Sequence, residues 1–191
     1  PPHKELNIQP WMETDAIKTV ISSIEKNGKE SRFIGGCVRD TILKKPVKDI
    51  DIATQETPEN IVNLLESDGI KAIPTGIKHG TITATTNGLS VEITSLRKDI
   101  KTDGRHAVVE YTDEWEEDAS RRDFTFNALS LTTDGTLYDY FNGQRDLEDR
   151  LIRFIGPADE RIQEDYLRVL RYYRFHGRIS DGVTHDATCV A

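Results

Sequence analysis

Asn87-Gly88 separates two runs in which apolar and polar residues alternate, "GTITATT" (Gly80–Thr86) and "LSVEITSL" (Leu89–Leu96). Asn-Gly accepts the two positive φ angles of a type I′ turn, so this pattern commits the chain to an antiparallel hairpin with one face turned to a core. The remaining elements must build around that hairpin. Lys48–Ala53 alternates in the same way and reads as a strand. Phe33 and Ile34 form a short strand that ends at Gly35-Gly36, after which Val38–Lys44 has helical character and stops near Pro46. Two further helices frame the sheet. Ile17, Val20, Ile21 and Ile24 fall at helical spacing in Ala16–Lys26, and "TPENIVNLLESDG" has Thr57 as cap, Pro58 at the first position and Gly69 as stop. The fold class expected is α/β (α+β), a small mixed sheet flanked by helices.

The second half is less regular. Arg97–Trp115 is polar and charged without a clear period and is expected to be a long mobile loop. Asp118–Leu129 is expected to be a helix, Thr136–Phe141 a short strand, and "NGQRDLEDR" a turn into another helix. From Ala158 the pattern is helical until "SDGVTHDATCVA", which has no period and reads as a frayed end.

Composition narrows the function classes. No apolar run is long enough to span a bilayer and no signal peptide opens the chain, so a cytoplasmic location is expected. Cys37 and Cys189 lie far apart without zinc-type spacing, which argues against a disulfide framework or a metal knuckle and makes Cys37 a small packed residue. A formal charge of −8 is unlike the uniformly basic surface of an autonomous nucleic-acid binder. Local charge differs: six acidic residues fall in Glu110–Asp118, whereas Arg161–Arg178 carries five arginines.

In a strand, residues two apart share a face, so Asp49 and Asp51 would point one way while Ile50 and Ile52 enter the core. In "LSVEITSL" the apolar set is Leu89, Val91 and Ile93, which puts Glu92 on the opposite face as a possible third carboxylate. Adjacent unpaired carboxylates repel, so the grouping makes most sense around divalent cations, and three such groups suit two metal ions about 3.5–4 Å apart. A solvated edge strand is the plainer alternative for an isolated Asp-x-Asp. The Gly35-Gly36 turn before a helix exposes backbone N–H groups to an anion, and Arg39 adds a charged donor.

Together "GGCVRD", "DIDIAT", "VEITSLR", "RRDFTFNAL" and "EDYLRVLRYYRF" resemble, in this order, the catalytic head of bacterial-type tRNA nucleotidyltransferases (CCA-adding enzymes) and bacterial poly(A) polymerases, within the polymerase β-like superfamily. The resemblance covers about Phe33–Arg174. It implies that Gly35 and Gly36 seat the triphosphate of CTP or ATP, and that Asp49 and Asp51 hold Mg2+ near the 3′ hydroxyl of a tRNA. It also implies that Arg122 contacts the nucleotide while Asp123 and Asn127 shape the sugar site; ordinary capping at a helix start is the alternative for Asp123. For Asp165 and Arg168 it implies base selection, since a carboxylate accepts from the amine of cytosine or adenine and an arginine donates to the neighbouring ring acceptor. Arg171 and Arg174 would lie nearer the phosphates or ribose. The plainer reading of this helix is a solvated face with Asp165 paired to Arg168, and a core stripe formed by Ile162, Tyr166, Val169, Leu170 and Tyr173.

The expected organisation is a catalytic head over 1–155, the start of a helical neck over 156–178 and an irregular or truncated end over 179–191. The leading function is CCA addition by two-metal phosphoryl transfer, with poly(A) polymerase and a catalytically incomplete nucleotide-binding subunit as alternatives. Relatives continue into a neck, body and tail that grip tRNA, so a second polypeptide supplying those parts is also expected.

Overall fold

The computed structural model describes residues 3–76, 80–100 and 108–179. Its strands are β1 (His3–Glu5), β2 (Ser31–Ile34), β3 (Asp51–Thr54), β4 (Lys71–Gly76), β5 (Thr81–Thr86), β6 (Leu89–Ser95), β7 (Arg97–Ile100), β8 (Val108–Tyr111), β9 (Ser130–Leu131) and β10 (Thr136–Tyr138). Its helices are α1 (Asp15–Ile24), α2 (Gly36–Ile42), α3 (Pro58–Ser67), α4 (Trp115–Ser120), α5 (Gly143–Glu148), α6 (Ala158–Glu164) and α7 (Leu167–Ile179). Eight strands form one sheet in the order β1-β10-β9-β2-β3-β6-β5-β4, and β7 pairs with β8 as a separate ribbon. The large sheet is mixed: β3 runs parallel to β6, and the other pairs are antiparallel.

The hairpin forms as its turn chemistry dictates, with Asn87 at φ 49° and Gly88 at φ 75° between β5 and β6. Thr57 caps α3 by accepting from Asn60 N, and Thr14 does the same for α1 at Ile17 N. Ile17, Val20, Ile24, Ile61 and Leu65 pack on Phe33, Ile52, Val91 and Ile93 in one continuous core. That core covers one face of β2, β3 and β6. Alternation turns Asp51 to the other face, where only Ile34, Ala53 and Leu96 form a small apolar cluster against Trp115.

Four expectations need correction. Arg97–Trp115 is not one loop, since Arg97–Ile100 (β7) pairs with Val108–Tyr111 (β8) as a ribbon, while residues 101–107 lie outside the described residues; cross-strand pairing outweighs the polar character of the strands. Asp118–Leu129 is not one helix, because α4 ends at Ser120 and a single 3-10 turn, Thr125–Asn127, follows. Phe124 and Phe126 are both fully buried at a spacing of two, a period that a helix cannot satisfy on one face. The helix after Ala158 breaks at Asp165, whose extended backbone (φ −154°, ψ 103°) separates α6 from α7. The stripe predicted as core holds only in part: Ile162 packs partly buried against the core and Val169 is half-buried, but the other three residues do not enter it. Tyr166, Leu170 and Tyr173 are 73, 67 and 68% exposed, while Tyr172, Phe175 and Ile179 are buried with Phe124, Phe126 and Phe154. The end of the chain from Ser180, including Cys189, lies outside the described residues. Among them, no helix is long and apolar enough to cross a membrane.

Candidate active site

A cleft of about 990 Å3 opens where β2, the turn into α2 and the start of β3 meet α7. Its wall brings together Gly35, Gly36, Arg39, Asp49, Asp51, Arg122, Asp123, Asn127, Asp165, Arg168, Arg171 and Arg174, along with Lys45, Lys48, Arg97 and Arg121. Of the residues singled out in the sequence, Glu92 alone is outside the wall. Residues more than a hundred positions apart thus converge because β2 lies beside β3 while α7 packs its Phe175 face onto the same domain.

The floor is built from the sheet. Gly35 has φ 67°, a region that side chains rarely adopt, and a Cβ there would lie 3.7 Å from Asp51 Oδ2. The turn therefore leaves bare backbone beside the carboxylate. Asp49 precedes β3 and is exposed, so the pair does not share a regular strand face, yet Ile50 and Ile52 still enter the core as the alternation requires. In the parallel β3–β6 ladder Asp51 is the register partner of Glu92, and Glu92 N donates to Ile50 O at 3.3 Å. Burial pushes the Asp51 carboxyl up to about 6; the Glu92 charge adds to this, Arg122 opposes it, and Asp49 contributes a further upward push. Glu92 is exposed and acts on Asp51 as a charge.

Among the described residues, no three His, Cys, Asp or Glu side chains are grouped closely enough to hold a metal ion. The expected three-carboxylate kit is therefore reduced to the two aspartates of the cleft. This still fits Mg2+, which commonly takes one or two protein carboxylates and completes its shell with phosphate oxygens and water. Asp51 supports that fit: its raised carboxyl marks a negative charge that the protein itself leaves only partly compensated.

A polar chain links floor to roof. Arg39 donates from Nε to Asp40 Oδ1 (2.9 Å) and from Nη1 to Asn127 Oδ1 (3.2 Å); Asn127 Nδ2 donates to Asp123 Oδ1 (3.1 Å); Arg171 Nε donates to Asp123 Oδ2 (2.6 Å). Arg39, Asp123 and Asn127 are buried, so these bonds fix their side chains in place. Asp123 also accepts from Phe124 N at 2.8 Å, which merges the capping role with its place in the wall.

The roof is α7 and the break before it. Asp165 Oδ1 accepts from Leu167 N at 2.9 Å and so caps α7. Arg168 does not pair with Asp165. Its Nη1 donates to Glu164 and to Arg161 O, at 2.7 and 2.8 Å, so the anticipated i,i+3 pair is replaced by an i,i+4 pair across the break.

Sequence reasoning missed Asp118 and Arg161. Asp118 is buried and accepts from both Arg121 and Arg122. Arg161 Nη2 donates to the carbonyls of Arg121 and Arg122, at 2.6 and 2.7 Å. The spacing of Asp118 to Arg121 and Arg122, three and four residues, was the available sign, but it lay inside an acidic run that reads as solvated surface. Cys37 sits behind the Gly turn; burial pushes its thiol up to about 12, which makes it an inert packed residue.

Comparisons with known proteins agree with this architecture. The profile of the Poly A polymerase head domain matches residues 31–153. The chain is 49% identical over 168 residues to the CCA tRNA nucleotidyltransferase 1, mitochondrial, of Danio rerio, covering 87% of this chain and 39% of that protein. It is 43% identical over 180 residues to the CCA-adding enzyme of Oceanobacillus iheyensis, covering 93% and 43%. The crystal structure of the Bacillus stearothermophilus CCA-adding enzyme in complex with CTP superposes with a TM-score of 0.81 at 33% identity, covering 94% of this chain and 42% of that one. A tRNA nucleotidyltransferase complexed with a primer tRNA and an incoming ATP analog gives 0.69 at 30%, covering 88% and 47%. The chain thus spans about 40% of the length of the curated relatives it matches.

Proposed function

Because the chain belongs to the Poly A polymerase head-domain family, we propose that it is the nucleotide-transferring head of a template-independent RNA nucleotidyltransferase that adds C and A from CTP and ATP to tRNA 3′ ends. The observation that supports this reading best is the convergence, in one cleft, of the glycine turn, two aspartates and an arginine-lined helix drawn from separate motifs. Its wall carries nine arginine and lysine side chains against five aspartates, in a protein whose net charge is −8. A basic cleft in an acidic protein concentrates polyanionic ligands at that spot.

In this proposal the triphosphate lies along the bare backbone of Gly35-Gly36, with Arg122 and Arg174 as charge partners. α2 has only seven residues, so the arginines rather than the helix dipole supply most of the attraction. Asp49 and Asp51 would hold Mg2+, which when bound neutralises phosphate charge and activates the attacking hydroxyl. Glu92 sustains the negative potential at Asp51. Asp123 and Asn127, locked to each other and to Arg39 and Arg171, form a rigid wall for the ribose. The base would lie against the Asp165–Arg168 break. Asp165 Oδ1 accepts from Leu167 N, which would leave Oδ2 for an exocyclic amine, and Arg168, in the same wall, would donate from Nε. Cytosine and adenine match this donor–acceptor pair; uracil and guanine do not. Transfer joins the α-phosphorus to the RNA 3′ oxygen and releases pyrophosphate.

The parts that grip the tRNA body are proposed to lie in polypeptide beyond this head, whether in the same chain or a second one, and the cytoplasmic location belongs to the same proposal. The exposed face of Tyr166, Leu167, Leu170 and Tyr173 supports such a neighbour. The family description also favours a second reading, poly(A) addition. Both are tested by incubating the head, together with any polypeptide that completes it, with tRNA lacking its terminal CCA and with CTP, ATP or both. Discrete C, CC and CCA products support the proposal. Long ATP-only ladders favour poly(A) addition, and no extension by the completed protein favours an incomplete nucleotide-binding subunit.

A further inference from the structure

We propose that Asp118 is a positioning residue for the nucleotide cleft, holding Arg122 at the angle from which it faces Asp51 and the phosphate site, and tying the β7–β8 ribbon to that arginine. The role deepens the proposed function and rests on it.

Asp118 is 3% exposed, yet it lies within a short helix, α4, in an acidic run. Its two oxygens are divided between two arginines. Oδ1 accepts from Arg121 Nε at 3.0 Å and Nη2 at 2.7 Å; Oδ2 accepts from Arg122 Nε at 3.2 Å and Nη2 at 2.8 Å. A carboxylate gripped this way fixes both planar guanidiniums, because each arginine is held through two nitrogens rather than one. Oδ1 also accepts from Arg97 N at 3.2 Å, and Arg121 Nε donates to Arg97 O at 3.1 Å. The first residue of β7 is therefore stitched to the clamp.

The backbone beneath the two arginines is pinned from the other side. Arg161, on α6, donates to the carbonyls of Arg121 and Arg122, and Arg168 donates to the carbonyl of Arg161. Side chains and main chain of this dipeptide are thus fixed independently, by Asp118 and by Arg161. Such double fixing is not needed for the core, whose apolar packing lies elsewhere; it is what a site requires when the aim of one guanidinium matters. Burial alone would raise the Asp118 carboxyl, but the charges of Arg122 and Arg121 outweigh it and hold the group below its ordinary range, so it stays ionised. Arg122 in turn is the cation that opposes the upward push on Asp51.

Charge and positioning predict opposite signs for one substitution. Asp118→Asn removes a negative charge near a site for a polyanion, so electrostatics alone would tighten nucleotide binding. Loss of aim would weaken it, since charge-assisted hydrogen bonds to a phosphate depend on geometry. Calorimetric titration of the 191-residue chain with CTP and Mg2+, alongside thermal melting, reads the difference. For a folded Asp118→Asn variant the expected result is affinity weaker by about tenfold or more. Asp118→Glu, which keeps the charge but displaces it by one methylene, should show a smaller loss, about threefold. An Asn variant that binds CTP as tightly as the parent, or more tightly, overturns the positioning role. Should the Asn variant fail to fold, the Glu variant decides by the same reading: weaker binding supports the role and parental affinity overturns it. A parent chain that binds no CTP overturns the functional reading, and the positioning role with it.

Discussion

The floor and the roof of the cleft are held by different physics. On the floor, Gly35, Asp49 and Asp51 border β2 and β3, two central strands whose other face is fully buried against α1 and α3. On the roof, Arg168, Arg171 and Arg174 belong to α7, with Asp165 in the break before it; α7 touches the domain along Tyr172, Phe175 and Ile179 and leaves Leu167, Leu170 and Tyr173 exposed, as is Tyr166 in the break. Carboxylates that must stay fixed are seated on the sheet; residues proposed to read a base are carried by an element docked through one aromatic face and a few charge-assisted bonds. The floor should therefore govern rate and the roof should govern choice of nucleotide.

Substitution of the floor has the largest expected effect. Asp51→Asn should lower nucleotide transfer by at least about a thousandfold, roughly 4 kcal/mol of barrier. The same change should stabilise the fold. Burial pushes the Asp51 carboxyl up to about 6 in the folded chain from its ordinary 3.8, so ionising it costs the folded state free energy. That cost is absent below about pH 4, grows as pH rises to about 6 and is constant above. In metal-free buffer Asp51→Asn should consequently stabilise the fold at pH 7 by roughly 1–3 kcal/mol, read as a higher Tm, and have little effect near pH 4. A lower Tm at pH 7 would contradict the account of a crowded, desolvated carboxylate.

Loosening the roof comes next. Phe175 is buried against Phe124 and Phe126, with Arg39 over its ring at 5.1 Å, so Phe175→Ala should cost about 3–5 kcal/mol in denaturant unfolding. Hydrogen exchange should then accelerate in α7 more than in β2 and β3. Equal acceleration in both would show that the two regions are one cooperative unit and would erase the contrast drawn here.

A subtler change sharpens the division of labour. Asp165→Ala should reduce the preference for CTP over UTP by about tenfold while leaving inorganic triphosphate binding within about twofold, because in the proposed site the carboxylate would meet the base and not the phosphates. The smallest effect is expected on the outer face of α7. Tyr173→Lys, at a position 68% exposed, should change the stability of this chain by less than about 0.5 kcal/mol. In a protein completed by its tRNA-gripping parts, the same substitution should weaken the contact made there, measurable as a loss of tRNA affinity.

Much of the floor was legible in the sequence because short-range rules decide it. Asn87-Gly88 fixes a turn, Thr57 and Pro58 fix a helix start, and the alternation of Asp49, Ile50, Asp51 and Ile52 fixes which side chains face the core, even though the regular strand begins only at Asp51. The roof was legible only in part. The segment Tyr166–Ile179 carries two apolar stripes, one through Tyr166, Leu170 and Tyr173 and another through Tyr172, Phe175 and Ile179; both have helical spacing, and periodicity cannot say which is covered. Tertiary packing against Phe124 and Phe126 decides. The β7–β8 ribbon and the pairing of β1 with β10 depend on partners distant in sequence, which local patterns do not encode. Asp118 was hidden for the same reason: its carboxylate is buried by a tertiary clamp inside a segment whose composition looks like surface.

The central claim is that floor and roof together make one nucleotide site that accepts the bases carrying an exocyclic amine beside a ring acceptor. Calorimetric titration of the unmodified chain with CTP, ATP, UTP and GTP in the presence of Mg2+ tests it most directly. The account predicts saturable binding of CTP and ATP, with UTP and GTP weaker by at least about tenfold. Equal affinity for all four nucleotides would contradict it, leaving the arginines of α7 as a phosphate-attracting surface that does not read the base.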